Sequence, residues 1–324
     1  MPERSTVEID GGAPRFLQWR WRAGTPAVAS VEPGTTLRIS VPDSSGGQLT
    51  ADSERSDLDR LDFSRVDPAV GPIDVIGARV GDALIVDLLD IQPAAWGWSG
   101  IFPDFGLLKR RFGLDLTTWD LHDGVADVRR GFLRPVQLPL APMVGVLGTA
   151  PATGEFPMIP PQAFGGNLDN RLHGVGSRVE LPVLRPGAGL SVGDPHALQG
   201  DGEVCGTGIE TPAVVTLRVS IEHGRRLTAP RASGPLPPRI PGRVVSASGV
   251  GGDLYRASQE AVESLLDALR AYGLRPEEAY LLTSLVGQLR IAEIVDEPNF
   301  VVTATFPESV ARAVGATPDP NARR

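Results

Sequence analysis

The stretch GDPHALQGDGEVCGTGIE, Gly193 to Glu210, sets Asp194, His196, Asp201, Glu203 and Glu210 among glycines and contains no lysine or arginine. Solvated charge runs ordinarily mix cations with acids. Here carboxylates crowd around one imidazole, and an arrangement of that kind needs a positive partner from outside the segment. Asp194 and His196 are two residues apart, as are Asp201 and Glu203, so an extended backbone turns each pair to one side. Pro195 favours an extended Asp194. Oxygen and imidazole donors converging from one loop suit a divalent metal: zinc, or calcium where carboxylates dominate the ligand set.

Working outward, Arg178–Leu184 and Gly187–Val192 read as strands that deliver this loop, and Ala213–Glu222 as a strand that leaves it. Farther upstream, Thr36, Arg38 and Ser40 alternate with Leu37, Ile39 and Val41 before a Gly46-Gly47 turn, the period of a half-buried strand. With 38 glycines and 30 prolines in 324 residues and few aromatics, the chain reads as mainly β (α+β), its many short strands forming sandwich-like or barrel-like sheets. A proline-rich stretch at 228–242 marks a change of pattern. Beyond it a helix with an apolar stripe of Ala261, Leu265, Leu266 and Leu269 is predicted, capped by Ser258, followed by a second helix opening at Pro276. Two closing strands and a frayed end from about Ala313 complete the reading. The expected organisation is therefore a β portion over 1–227 carrying the acidic loop, and a linker plus α+β portion over 228–324.

The net charge of -8 argues against nucleic acid and anionic membrane surfaces as partners, because both require clustered cations. The N-terminal residues contain no apolar run of signal-peptide length and no segment has the length of a membrane span, so the expected location is cytoplasmic. A single cysteine, Cys205, forms no internal disulfide.

Six blocks in fixed order carry a resemblance over nearly the whole chain. They are the quoted stretch, Val66–Ile91, Trp96–Leu108 (WGWSGIFPDFGLL), Met143–Pro151 (MVGVLGTAP), Pro160–Asp169 (PPQAFGGNLD) and Glu278–Val302. Together they resemble the acetamidase/formamidase family, whose signature runs GDxHA–x–QGDGE, then CGT and a Glu. The resemblance implies metal-dependent hydrolysis of small aliphatic amides to carboxylate and ammonia, and a homo-oligomer. It also implies a set of roles: Asp169, Asp194 and His196 hold the metal, Glu203 is the general base, and Asp201 either orients Glu203 or completes the metal shell. Gln48, which follows the glycine turn, either orients the substrate amide or bonds to local backbone. Trp98, with Ile101, Phe102 and Phe105, belongs either to the core or to a pocket for the alkyl end of an amide. One departure stands out: Gln18, three positions before Trp21, replaces a histidine of the family pattern.

Two rivals are weighed. A cysteine mechanism would recruit Cys205 beside Glu203, but the only lysine is Lys109, in a different context. A non-catalytic metal- or ligand-binding protein on the same scaffold is the alternative from another class.

Overall fold

The protein is described by a computed structural model over residues 6–316. Alternation becomes burial along Thr36–Val41, where Leu37, Ile39 and Val41 turn inward and Arg38 outward. This strand lies second in a six-stranded sheet whose order is Thr6–Asp10, Thr36–Val41, Ala213–Glu222, Ala83–Pro93, Arg178–Pro182 and Arg231–Ser233. A larger sheet of eleven strands among the described residues runs through Asp115–His122, Trp96–Ile101, Ile209–Glu210, Leu190–Leu198, Met143–Gly148 and Gly165–Asn167, with Ala69–Val75 alongside Leu190–Leu198. The sheets face one another across one apolar cluster, in which Leu37, Ile39 and Leu217 of the first meet Ile73, Val144 and Val192 of the second. That is sandwich packing, as the strand patterning predicts.

The proline-rich stretch is not wholly irregular: Arg231–Ser233 pairs with Arg178–Glu180 at a sheet edge. Beyond it Val244–Gly251, Phe300–Pro307 and Gln288–Glu293 form a three-stranded antiparallel sheet packed by the helices Leu254–Leu269 and Pro276–Val286. The predicted stripe of the first helix is buried, but its cap is Asp253, whose side chain accepts from the amides of Tyr255 and Arg256. Ser258 lies inside the helix and bonds the Leu254 carbonyl, because the helix starts a turn earlier than its apolar stripe suggests. Of the end expected to fray from about Ala313, residues up to Ala316 instead continue the helix Glu308–Ala316, held by Val310, Ala311 and Val314 on its buried face; the remainder lies outside the described residues. The helices share one core with Trp119, Leu121 and Leu138 of the large sheet. No helix among the described residues is long and apolar enough to cross a membrane.

Candidate active site

The strand Leu190–Leu198 is buried along its whole length, with Met143–Gly148 on one side and Ala69–Val75 and Ile209–Glu210 on the other. Its middle is not extended as Pro195 predicts. Asp194 has φ of 50°, in the left-handed region that aspartate tolerates better than most residues. Opposite it Gly145 leaves the room its carboxylate needs: a Cβ on Gly145 would lie 2.5 Å from Asp169 Oδ1 and 2.6 Å from Asp194 Oδ2. The strand resumes its ladder at Pro195, opposite Val144, and His196 lies between Met143 and Glu210.

His196 is the hub. Gln199 donates to the Asp169 carbonyl at 2.7 Å, which turns its Oε1 toward His196 Nδ1, also at 2.7 Å; in the neutral imidazole Nδ1 therefore carries the proton and Nε2 presents its lone pair. Around Nε2 stand Glu210 Oε2 at 3.0 Å, Asp194 Oδ1 at 3.2 Å and Glu203 Oε1 at 4.0 Å. Donor atoms of Asp169, His196 and Glu203 lie within 4.8 Å of one another, as do those of Asp194, His196 and Glu210. Buried without a hydrogen-bond partner are His196 Nε2, Asp194 Oδ1 and Asp169 Oδ1. An acceptor lone pair facing carboxylate oxygens repels them unless a cation stands between, so this donor set fits a metal ion.

Without a cation the crowding is met by protons instead, on the acids and on His196 itself. Burial and the Asp194 carboxylate raise Asp169 to about 7; burial, with Glu210 opposing the help of His196, raises Asp194 to about 6. Burial and Asp169 push Glu203 well above the carboxylate range. Burial would lower His196, but Glu210 and Asp194 outweigh it and drive the imidazole well up. Acids of this kind hold protons where no cation compensates them. Among the described residues, no lysine or arginine lines the cavity onto which the cluster opens.

Two members of the cluster were given no role by sequence reasoning. Asp67, whose Asp-Pro step reads as a turn, is half-buried in the same cavity and raised by burial and then by Asp194, Glu210 and Asp169. Its amide bonds the Ser44 carbonyl at 2.7 Å. Glu210 stands in the acidic stretch, yet only the fold reveals its engagement: it accepts from Ser44 Oγ at 2.8 Å and Gly208 N at 2.7 Å. Four of these acids share positive φ, Asp67 at 48°, Asp169 at 42°, Asp194 at 50° and Glu203 at 41°. Such backbone costs about 1–3 kcal/mol per residue and persists where the surroundings impose it, often at functional sites.

Asp169, Asp194, His196 and Glu203 are thus brought together, whereas Asp201 and Gln48 are not. Asp201 is 41% exposed and faces Arg171 at 3.6 Å, and its carbonyl accepts from Leu289 N. Gln48 is used locally, bonding the Ser45 and Asp62 carbonyls and the Asp62 amide. Trp98 lines the cavity and donates through Nε1 to Asp43 at 2.8 Å. Gln18 donates to Ser191 Oγ at 2.7 Å and does not line the cavity. Asn167, absent from the sequence-derived set, does line it, with Oδ1 buried and unpartnered.

Cys205 is fully buried, its thiol among Gly100 O and Thr207 at 3.6–3.7 Å and its pKa raised by burial. A thiol so placed is a poor nucleophile. Cys205→Ser is therefore expected to keep amide turnover within about a factor of three of the parent, since the change is isosteric and outside the acid cluster. Loss of all turnover in folded Cys205→Ser protein would point to thiol chemistry instead.

The model of the acetamidase/formamidase family matches residues 12–156 and 155–312. The formamidase of Methylophilus methylotrophus is 27% identical over 90% of this chain and 88% of its own; the acetamidase of Mycolicibacterium smegmatis is 29% identical over 81% of this chain and 84% of its own. Among solved structures, a gamma lactamase from Delftia acidovorans superposes with a TM-score of 0.86 at 26% identity, covering 94% of this chain and 93% of that one.

Proposed function

Because this chain belongs to the acetamidase/formamidase family of amide hydrolases, we propose that it is a metal-dependent hydrolase of open-chain amides, with formamide and acetamide the simplest, and that its metal is zinc. The observation that carries the metal is the set of buried, unpartnered donors around His196 Nε2. A nitrogen and several carboxylate oxygens are ligands zinc accepts, with calcium the hard-cation alternative.

His196, Asp194 and Asp169 hold the ion, and Glu210 adds its charge while anchored by Ser44 and Gly208. The bound ion supplies Lewis acidity, lowering the pKa of water and polarising the amide carbonyl. Glu203, 16% exposed against 3% for Glu210 and 5% for Asp194, is more open to a ligand than either of them. It removes a proton from the attacking water and returns it to the departing nitrogen, so that water adds across the C–N bond and ammonia leaves. Asn167 Oδ1, unpartnered at the cavity wall, accepts from the substrate NH2 group and sets its orientation. Asp201 acts one step removed: its pairing with Arg171 and Leu289 anchors the turn that presents Glu203.

Ammonia release from formamide and acetamide by purified protein tests this reading directly. Chelation is expected to abolish release and added zinc to restore it. Turnover that survives complete removal of metal, verified by elemental analysis, would sink the metal dependence; folded, metal-loaded protein that hydrolyses no amide would sink the hydrolytic reading.

A further inference from the structure

The cavity is larger and more apolar than the simplest amides require. It measures 530 Å³, within the range of about 300–1,000 Å³ typical of pockets for much larger ligands, whereas formamide has no carbon beyond its carbonyl and acetamide only a methyl. The mouth of the cavity carries exposed aromatic rings beside the exposed acids Asp59 and Asp104. Asp194 and Glu210 lie at the base at 3% and 2% exposure, and Phe63 and Phe105 stand at the mouth at 59% and 41%.

Between base and mouth the rings of Trp98, Phe102 and Phe63 follow one another edge to face, with centroids 6.5 Å and 5.7 Å apart. The indole at the inner end is tied by its Nε1–H to Asp43 Oδ2, so the wall is fixed before a ligand arrives. Asp43 in turn accepts from the amides of Ser45 and Gly47. A single exposed phenylalanine needs no explanation. Rings that run without a break from solvent to a reactive cluster do, because their exposed area is stabilised only when something apolar covers it.

Resting on the hydrolytic reading above, we propose that the preferred substrates are open-chain primary amides with a bulky apolar acyl group, aryl or branched alkyl. The amide enters first and reaches the acids, and the acyl group lies along Trp98, Phe102 and Phe63. The reaction stays balanced with water alone: the C–O bond forms from water, the C–N bond breaks, and the water's proton leaves with ammonia. Apolar contact remote from the carbonyl raises kcat/KM by about fourfold per buried methylene.

Rates of ammonia release by the metal-loaded full chain from acetamide, isobutyramide and phenylacetamide rank the acyl groups. The expected order is phenylacetamide above isobutyramide above acetamide, with kcat/KM rising on the order of tenfold and then 100-fold over acetamide. Phe63→Ala, at a position too exposed for folding to depend on it, is expected to lower kcat/KM for phenylacetamide about fivefold more than for acetamide. Acetamide hydrolysed as well as phenylacetamide overturns the proposal and leaves amide hydrolysis standing. Should no amide be hydrolysed, the hydrolytic reading fails by itself, and calorimetric titration with phenylacetamide decides the apolar site. Binding weakened by Phe63→Ala supports it, and no binding overturns it.

Discussion

Glu203→Gln is expected to reduce kcat for acetamide by roughly 10²–10⁴-fold, the usual contribution of a positioned general base, while the metal content and the melting temperature stay near those of the parent. Glutamine keeps the size and shape of the side chain but neither accepts a proton from water nor returns one. The charge it removes is one of five carboxylates, those of Asp67, Asp169, Asp194, Glu203 and Glu210, that line one cavity and repel one another. Relief of their repulsion offsets the loss of a negative charge near the cation, whose ligands are left in place. Three measurements on one preparation are needed: ammonia release, metal per chain and thermal unfolding. Turnover within a few-fold of the parent would remove Glu203 from proton transfer. Parent protein that carries metal and never turns over would favour the binding-protein alternative.

Arg134→Met is expected to destabilise the protein by about 3–5 kcal/mol, the effect of stripping one partner from a buried ion pair. Arg134 and Glu278 are 4% and 0% exposed. Arg134 Nε donates to Oε1 at 3.0 Å and Nη2 to Oε2 at 2.9 Å, while Nη2 also reaches the Gly273 carbonyl at 2.7 Å. Arg275 adds its amide and guanidinium to the same carboxylate. The cluster joins the segment after Val125–Gly131 to the first turn of the helix Pro276–Val286, where a carboxylate also suits the helix dipole. Methionine fills most of the volume but leaves the charge of Glu278 poorly matched.

The pH dependence follows from the sign of the shift. Burial would raise Glu278, but the hydrogen bonds from Arg134 and then Arg275 outweigh it and hold it below its ordinary 4.5. A depressed carboxyl contributes stability that is present above its unfolded pKa and lost as pH falls through its folded value. The deficit of Arg134→Met should therefore be full near neutral pH and shrink as the solution is acidified below about 4.5. Chemical denaturation at neutral and acid pH measures it, and the double change Arg134→Met with Glu278→Leu should recover most of the loss. A single variant as stable as the parent at neutral pH would show that the pair contributes nothing net.

Sequence alone determined the elements whose causes are local. Alternation gave Thr36–Val41 and Ala213–Glu222 their exposed and buried faces, and Pro276 opened its helix because a first-turn amide has no partner to lose. The glycine-rich acidic stretch marked the site, since an excess of like charge demands compensation wherever the chain goes. What it left undecided is which acids meet. Asp201 and Glu203 are two residues apart, yet Glu203 faces His196 and Asp201 faces Arg171, because Gly202 and a positive φ at Glu203 break the extended backbone that would have aligned them. Asp67, far upstream, looks like any turn aspartate until Ala69–Val75 is laid beside Leu190–Leu198. Gly145 gives no sign of its purpose until Met143–Gly148 is paired on the other flank and two carboxylates fill the space its side chain would take. Residue type and local periodicity record the chemistry a chain can offer. The meeting of Asp169 and Glu210 at one imidazole is decided by strand pairing over separations of 27 and 14 residues, which only the folded sheet defines.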